Sequence, residues 1–469
     1  MKIVNSEENV HILDSQENVW SVIRDIAYNT NQEEAFYIFD VGDLVRKHKI
    51  WKTKLPRVEP HYAVKCNDSM TVLEVLNTLG AGFDCASKAE INKVLSLDVR
   101  PNRIIFANPA KPASHIRHAA SVGVSRMTFD NEMELHKVKK LYPDAEMVIR
   151  IRSDALEARC PLGMKFGCNP VTEAPELLRI ARSLDINVIG VSFHVGSGCG
   201  EPQAFRRAIA ASRDVFDYAS TLGYQFHLLD IGGGYPGGRD TSIDEIAEII
   251  NAALDDYFPD PCVQVISEPG RFYVTSAYTL ACNIYSIRKV VETDPETGKT
   301  RNTHNMYYIN DGVYGSFNCI LYDQQVIKPH PLKEYPGAKY RSSSIWGPTC
   351  DSLDQVVENI MLPEMKIGDW LVFEDMGAYT LPVASPFNGF PIPKVHVIAE
   401  ESIWVLLKDL LTLSDDHFQM LKVPSKNKEE DYSNYTLPSF PIRIEIPRCN
   451  DSSMLGEYVL DYSNVLSVE

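Results

Sequence analysis

The feature that most constrains the fold is a regular alternation of short apolar runs with helix-like stretches between residues 61 and 267. The eight runs, in chain order, are His61–Lys65, Gly82–Asp84, Arg103–Phe106, Arg126–Phe129, Met147–Arg152, Val188–Phe193, Phe226–Ile231 and Val263–Ser267. Between the last two, Thr241–Phe258 carries apolar residues on one helical face, after a predicted capping box of Ser242 and Glu245. Eight strand and helix units over about 200 residues predict a (β/α)8 barrel, and an open doubly wound sheet is the alternative.

The pattern changes after Ser267, where strand-like runs with Gly- and Pro-rich connections replace the helices. These runs are Tyr273–Ile287, Met306–Asn310, Lys366–Phe373 and Val395–Ala399. They predict a β-rich second domain, and the strand-like run Ala35–Asp40 could join its sheet because chain termini often lie close together. The predicted divisions are an N-terminal segment joining the β domain (1–40), the barrel (41–270), the β-rich domain (271–412) and a variable tail (413–469).

Composition and charge exclude several classes of partner. The net charge of −17 argues against nucleic acid or an anionic membrane as the main partner. The ten cysteines are scattered and form no CxxC pair, so a zinc ribbon or a thioredoxin-like motif is not expected. The sequence shows no secretory signal and no membrane span, and we expect a cytoplasmic protein.

Most of the predicted strands end in residues that are suited to catalysis or ligand binding. In a barrel of this kind the working residues lie at the carboxyl ends of the strands. All but the third and fourth predicted strands deliver ionisable or glycine-rich residues there. These are Lys65, Asp84, Arg150 with Arg152, His194, the run Asp230–Gly234 and the run Glu268–Arg271. A purely structural barrel would not need such a set.

Lys65, at the end of the run HYAVKCN, has two interpretations. Most lysines are simply solvated, so on its own a structural role is favoured. The alternative is an amine that forms a Schiff base with a carbonyl compound, pyridoxal phosphate included. The other strand ends favour this second interpretation.

Gly232–Gly234 is a candidate phosphate cradle, since glycines let backbone N–H groups converge on an anion. Barrel phosphate sites use the loops after strands seven and eight, which here read GGG and EPGR. The alternative is a tight turn without a ligand. Glu268 would be partly buried and would need a cationic partner, such as a protonated pyridine nitrogen.

Residue type alone leaves the roles of several other residues open. His194 is either a core histidine or, beside Gly196 and Ser197, a ring on which a flat ligand stacks. Cys350 is either an inert buried thiol, which is the commoner case for a free cysteine, or a reactive one. A negative patch of Asp323, Asp351 and Asp354 either faces solvent or binds a cation.

The chain resembles the eukaryotic ornithine decarboxylase family of PLP-dependent fold-type III enzymes. The strings that carry the resemblance are AVKCN, GAGFDCASKAE, SFHVGSGC, LDIGGGYPG, SEPGRFYV, NDGVYGSFNCILYD, WGPTCDSLD and FEDMGAYT. It implies an α/β fold with an alanine-racemase-like barrel and a C-terminal β-rich domain. It also implies decarboxylation of L-ornithine to putrescine and CO2, the first step of polyamine biosynthesis.

The resemblance implies a role for each site residue. Lys65 would hold pyridoxal 5'-phosphate, and Cys350 would return a proton to the substrate Cα. The other implied cofactor-binding residues are Asp84, Arg150, His194, Ser197, Gly233, Gly234, Glu268, Gly270, Arg271 and Tyr379. His194 would stack on the ring and Glu268 would pair with its nitrogen, so both count as catalytic. Tyr322, Asp323 and Asp351 would bind substrate, and no metal is expected.

The resemblance also implies partners. A head-to-tail homodimer would share its active sites, with Cys350 reaching across and Lys165 paired with Asp354 of the other subunit. Residues 111–141 resemble a surface that binds antizyme, with reduced basic content. Pro161 and Gly163 depart from the family pattern in a flexible loop, and the tail past Leu413 does not match the mammalian degradation tail.

Two alternatives stay open. One is a related decarboxylase acting on lysine, arginine or another amino acid. The other is a non-catalytic antizyme-inhibitor-like regulator, a class that has lost several cofactor and catalytic residues. The presence of the full constellation, Lys65 and Cys350 included, disfavours the regulator.

Overall fold

The computed structural model describes residues 10–14, 16–153, 158–160, 163–293, 296–298 and 300–410. The strands up to the end of the barrel are β1 (Val10–Leu13), β2 (Phe36–Asp40), β3 (Val58–Ala63), β4 (Gly82–Cys85), β5 (Ile104–Phe106), β6 (Arg126–Phe129), β7 (Glu146–Arg150), β8 (Ala158–Cys160), β9 (Asn187–Ser192), β10 (Ser197–Cys199), β11 (Leu228–Asp230) and β12 (Gln264–Ser267). The helices in this part are α1 (Val19–Asn29), α2 (Val41–Lys54), α3 (Met70–Thr78), α4 (Lys88–Leu95), α5 (Ala113–Val122), α6 (Glu132–Leu141), α7 (Ala174–Ser183), α8 (Gln203–Thr221) and α9 (Asp244–Tyr257).

The remaining described elements are mostly strands. They are α10 (Arg271–Val274), β13 (Tyr278–Thr293), β14 (Thr300–Ile309), α11 (Asn318–Tyr322), β15 (Pro329–Pro331), β16 (Tyr340–Trp346), β17 (Gln355–Pro363), β18 (Trp370–Phe373), β19 (Lys394–Glu400) and α12 (Glu401–Leu410). Within the described ranges no helix is both long and apolar enough to cross a bilayer.

Eight parallel strands close into a barrel in the order β11-β12-β3-β4-β5-β6-β7-β9. A small apolar cluster of Ile105, Ala107, Val148, Ile189, Leu228 and Ile266 comes from five of these strands and their ends. Gly190 lets β9 approach β11, since a Cβ there would lie 1.9 Å from the Leu228 carbonyl oxygen. The predicted barrel is confirmed, and the open doubly wound sheet is excluded by closure between β9 and β11.

The second domain is a mixed sheet with the path β1-β19-β2-β13-β14-β16-β17, to which β15 and β18 are attached. The β2 strand, from before the barrel, pairs with β13 and β19. The predicted divisions of the chain stay a prediction, and the tail from 413 onward lies outside the described residues.

Three local predictions were wrong. The first strand ends at Ala63, because its pairing with β4 ends there, and Lys65 lies in a short 3-10 helix, Val64–Cys66. The run from Tyr273 begins inside the helical turn α10, and β13 starts only at Tyr278. The predicted capping box does not form, because α9 has Ile243 at its N-cap without a side-chain cap.

Candidate active site

A cavity of about 440 Å³ opens at the carboxyl-terminal end of the barrel, against the β domain. Among the residues that line it are eight of the predicted site residues: Lys65, Arg150, His194, Ser197, Glu268, Tyr322, Asp323 and Tyr379. The strand ends therefore converge as the sequence pattern predicted.

Lys65 lies two residues after the end of β3, and its side chain is partly exposed. Its Nζ donates a hydrogen bond to Asp84, which is fully buried on β4. Burial alone would lower the pKa of Lys65, but the neighbouring carboxyl groups, Asp84 first and Glu268 second, outweigh it and raise the pKa. The amine is consequently an ammonium at neutral pH, held by Asp84.

Glu268 follows β12 directly and is buried. Its backbone N–H donates to the Gly232 carbonyl oxygen over 2.7 Å, which ties the exits of β11 and β12 together. Burial, with the nearby carboxyl groups of Asp230 and Asp84, raises the pKa of Glu268 well above its usual value. Glu268 is therefore a buried carboxyl group that a cationic partner would stabilise.

His194 lies in the loop after β9 and is neutral. Burial, reinforced by the charges of Arg150 and Lys65, lowers the pKa of His194 well below its ordinary value. Its Nδ1 lies 3.0 Å from the backbone N–H of Gly196 and accepts that hydrogen bond, so the ring proton sits on Nε2. A neutral, fixed imidazole at the cavity wall suits stacking on a flat ring.

The loop Gly232–Gly234 forms an open cradle, and a side chain at Gly233 or Gly234 would collide with its surroundings. A Cβ on Gly233 would lie 2.7 Å from the Glu268 carbonyl oxygen and 2.9 Å from His194 Nε2. Gly234 has φ of +123°, and a Cβ there would lie 2.8 Å from the Gly196 carbonyl oxygen. Backbone N–H groups at such a loop can approach an anion closely.

Arg271 brings a cation to this cradle. Its Nη2 donates to Ser197 Oγ over 2.9 Å and to Asp323 Oδ1 over 2.5 Å. Gly270, just before it, packs so closely that a Cβ would lie 2.7 Å from the Cys66 Cβ. Ser197 and Arg271 thus lie together as an anion-binding pair requires.

The β domain contributes Tyr379 through a backbone clasp. The Tyr379 N–H donates to the Cys66 carbonyl oxygen over 2.9 Å, and Asn67 Nδ2 donates to the Gly377 carbonyl oxygen over 3.0 Å. The Arg271 guanidinium lies 5.2 Å from the centre of the Tyr379 ring. These two hydrogen bonds therefore hold Tyr379 at the mouth of the barrel, beside the glycine cradle.

Sequence reasoning missed part of the cavity wall. Asn108 and Pro109 line it from the exit of β5, a strand for which no active end was predicted. Phe166 also lines it, and the Arg150 guanidinium lies 5.3 Å from its ring centre. Asn108 was available as a signal, but a rule based on ionisable side chains passes over an amide.

Two predicted site residues lie apart from the cavity of their own chain. Cys350 is exposed, and its backbone N–H donates to Asn388 Oδ1 over 2.9 Å. Asp351 accepts a hydrogen bond from the Tyr314 hydroxyl. Tyr322, at the end of α11, lines the cavity and is 71% exposed. One chain alone therefore does not assemble the whole predicted site.

The two residues of the predicted intersubunit ion pair, Lys165 and Asp354, both have contacts within this chain. Asp354 is buried and accepts hydrogen bonds from Val313 N at 2.8 Å, Thr349 N at 2.9 Å and Thr349 Oγ1 at 2.7 Å. Lys165 is exposed beside Phe166, with Nζ 5.0 Å from that ring centre. The predicted pairing of Lys165 with Asp354 of another subunit stays a prediction.

Lys111, in the segment resembling an antizyme-binding surface, does not belong to the surface. It is 1% exposed, and its Nζ contacts Glu134 at 2.9 Å and donates to the Thr128 carbonyl oxygen at 2.6 Å. This buried pair joins the loop between β5 and α5 to helix α6. The basic content that the segment presents outward is therefore lower than its sequence indicates.

The residues fit a flat aldehyde cofactor that carries a phosphate. Lys65 provides an amine, the cradle with Ser197 and Arg271 provides an anion site, and Glu268 provides a buried acid. The cavity volume suits a small ligand, since such sites span about 300–1,000 Å³. A barrel with this lysine at its mouth defines a class of enzyme that works through a pyridoxal cofactor.

The comparisons agree with this class. The family model for the pyridoxal-binding domain of pyridoxal-dependent decarboxylases matches residues 41–275. The chain belongs to the pyridoxal-dependent decarboxylase family, and its cofactor is pyridoxal phosphate.

Similar proteins cover most of the chain. Ornithine decarboxylase of Mus musculus is 51% identical over 389 residues, which are 81% of this chain and 84% of the mouse protein. Antizyme inhibitor 2 of Xenopus laevis is 50% identical over 382 residues, covering 80% of this chain and 83% of the frog protein. The solved arginine decarboxylase of Paramecium bursaria Chlorella virus has a TM-score of 0.77 at 37% identity, covering 81% of this chain and 100% of the viral one.

Proposed function

We propose that this chain decarboxylates L-ornithine to putrescine and CO2, and so supplies polyamine biosynthesis in the cytoplasm. The observation that carries the proposal is the convergence of Lys65, Glu268 and the Ser197–Arg271 pair on one cavity. The 51% identity to mouse ornithine decarboxylase supports this substrate over others.

The cofactor end of the cavity has a division of labour. Ser197, Arg271 and the backbone of Gly233 and Gly234 bind the phosphate, with the Tyr379 hydroxyl beside them. The neutral His194 ring would stack on the cofactor ring, Glu268 would hydrogen-bond its nitrogen, and Asp84 and Arg150 would complete the wall. Bound pyridoxal phosphate supplies the electron sink that accepts the electron pair left when the carboxylate departs.

Lys65 must lose a proton before its amine can react with an aldehyde. Asp84 already holds that ammonium and is the carboxylate placed to receive the proton. The arrangement also keeps the Lys65 amine at the cavity wall, where it would hold the cofactor. Lys65 is therefore the proposed anchor of the cofactor.

Acidic side chains at the other end recognise the substrate. Asp323 and Asp351 bind the distal ammonium, Tyr322 forms the wall, and the Cys350 thiol gives a proton to Cα after CO2 leaves. Because Cys350 and Asp351 lie away from the cavity of their own chain, a second copy supplies them. The proposal therefore includes a homodimer with shared active sites.

One further function has an observation in its favour. The Xenopus relative of similar identity is an antizyme inhibitor, so a regulator that binds antizyme through residues 111–141 is the second candidate. The intact set of Lys65, Asp84, Glu268 and Cys350 favours the enzyme. Antizyme binding is compatible with activity and is proposed alongside it.

The test is a stoichiometric assay with carboxyl-labelled L-ornithine and added pyridoxal phosphate. The enzyme releases labelled CO2 and putrescine in equal amounts, and heat-denatured protein releases neither. Protein that binds the cofactor but releases no CO2 from ornithine would refute the decarboxylase and leave the regulator.

A further inference from the structure

A second buried carboxyl group, that of Asp230, lies behind Glu268 and has no role in the mechanism above. Asp230 ends β11, and Glu268 follows the neighbouring strand β12, where Asp230 is in register with Ile266. Asp230 is fully buried, and Glu268 is 7% exposed. Removing both from water disfavours two negative charges side by side.

The hydrogen bonds show what the pair requires. Asp230 Oδ1 accepts from the Gly232 N–H at 2.9 Å, whereas Oδ2 is buried and receives no bond from an N–H or hydroxyl donor in the described part of the chain. The Asp230 and Glu268 carboxyl groups lie within hydrogen-bonding reach of each other. Two ionised carboxylates have no hydrogen to share, so this contact needs one proton on the pair.

The charges around the pair lead to the same count. The carboxyl groups of Asp84, Asp230 and Glu268 outnumber Lys65 and Arg150, the two cations that act on this pair, which favours a proton on the pair. His194 is neutral and does not change the balance. Burial and the neighbouring carboxyl groups raise the pKa of both Asp230 and Glu268, so the pair holds one proton between them.

We propose that Asp230 is a positioning residue that holds the shared proton of the pair when a protonated ring nitrogen binds. Glu268 then accepts one hydrogen bond from the ring N–H and a second one from the protonated Asp230. No proton enters or leaves the pair. Glu268 becomes a carboxylate with a donor on each side, which makes its negative charge tolerable in a buried site. The inference rests on the proposed role of Glu268.

Two substitutions separate this role from a structural one. Asp230→Asn keeps an oxygen for Gly232 and offers an N–H to Glu268, so it imitates the protonated aspartic acid. Asp230→Leu is similar in size but offers neither. Each is made alone and together with Glu268→Gln, and the dissociation constant of pyridoxal phosphate is measured by equilibrium dialysis on the full-length, cofactor-stripped protein. Thermal unfolding of each protein checks the fold.

Asp230→Leu should weaken cofactor binding at least about tenfold, and Asp230→Asn by less than about threefold, since the amide restores the donor. In the Glu268→Gln background, the Asp230→Leu effect should shrink to less than about threefold, because coupled groups are not additive. Equal losses in both backgrounds, or equal losses for Asn and Leu, would show that Asp230 only supports the Gly232 turn. Since the readout is cofactor binding, failure to decarboxylate ornithine would leave this inference standing.

Discussion

Arg271 and Asp323 form a buried ion pair with an Nη2 to Oδ1 distance of 2.5 Å, which joins the first turn after the barrel to the β domain. The family resemblance implied different ligands for the two residues, the phosphate for Arg271 and the distal ammonium for Asp323. The structure connects these ends of the site through one guanidinium, which also donates to Ser197. Arg271 therefore holds Asp323 in place, and its Nε has no hydrogen-bond partner among the described residues.

Breaking this pair on one side should destabilise the protein. Arg271→Gln leaves Asp323 buried without its cation and should lower the free energy of unfolding by about 3–5 kcal/mol. Adding Asp323→Asn should recover part of the loss, because no unpaired charge remains. Urea unfolding of the cofactor-free protein measures both. Arg179→Gln, in an exposed pair with Glu176, is the control and should cost less than about 1 kcal/mol. Additive effects of the two substitutions would refute coupling.

Lys65→Ala should abolish covalent attachment of pyridoxal phosphate. Reduction with borohydride followed by intact-mass measurement should show one cofactor adduct on the unmodified chain and none on the variant. Lys93→Ala, which removes a lysine paired with Asp68 near the surface, should keep the adduct. A stoichiometric adduct on the Lys65→Ala protein would place the Schiff base elsewhere.

Mixing two inactive variants should restore activity if sites are shared. Lys65→Ala and Cys350→Ala affect different chains of the same site, so a mixed dimer retains one intact site of two. Random exchange should recover about a quarter of the unmodified activity, as expected for isologous dimers. Exchange is verified with differently tagged chains. Proven mixed dimers without activity would mean that each chain completes its own site.

Acid should destabilise the fold through His48. Burial, aided by the charge of Lys52, lowers the pKa of His48 to about 4, and its Nδ1 lies 3.0 Å from the Tyr273 hydroxyl. In the unfolded chain, His48 binds a proton as the pH falls below its ordinary pKa of 6.5. In the folded chain, it does so only near pH 4. The stability contribution is therefore complete above pH 6.5 and lost as the pH falls toward 4.

The size of this effect is about 2–3 kcal/mol. His48→Gln keeps a hydrogen-bonding side chain but does not titrate, so its free energy of unfolding should fall less between pH 7 and pH 4.5. Chemical unfolding at the two pH values measures the difference. An equal fall in both proteins would assign the acid sensitivity to other groups.

The barrel and its active end were predictable because both are encoded locally. Each strand is a short apolar run, and Lys65, Asp84 and Glu268 follow or lie within such runs. The sheet of the second domain was not predictable to this extent. Its order depends on pairings between distant segments, such as the parallel pairing of β14 with β16, and no local pattern specifies them.

Contacts within the site also depend on residues that are distant in the sequence and were therefore not predicted. The ion pair of Arg271 with Asp323 joins residues 52 positions apart, and each residue type alone predicts only a charge. Asp230 was visible at the end of a strand, but its contact with Glu268 depends on the pairing of β11 with β12. Cys350 has no signal for its position, because its proposed site lies on another copy of the chain.

The most direct test of the central claim is a comparison of kcat/KM for L-ornithine, L-lysine and L-arginine with saturating pyridoxal phosphate. One methylene changes transition-state binding by about 1–3 kcal/mol, so ornithine should be favoured over lysine by about 10–200-fold. Arginine, with a bulkier guanidinium, should be poorer still. A higher kcat/KM for lysine or arginine, or no turnover of any substrate by protein that has bound the cofactor, would contradict the proposal.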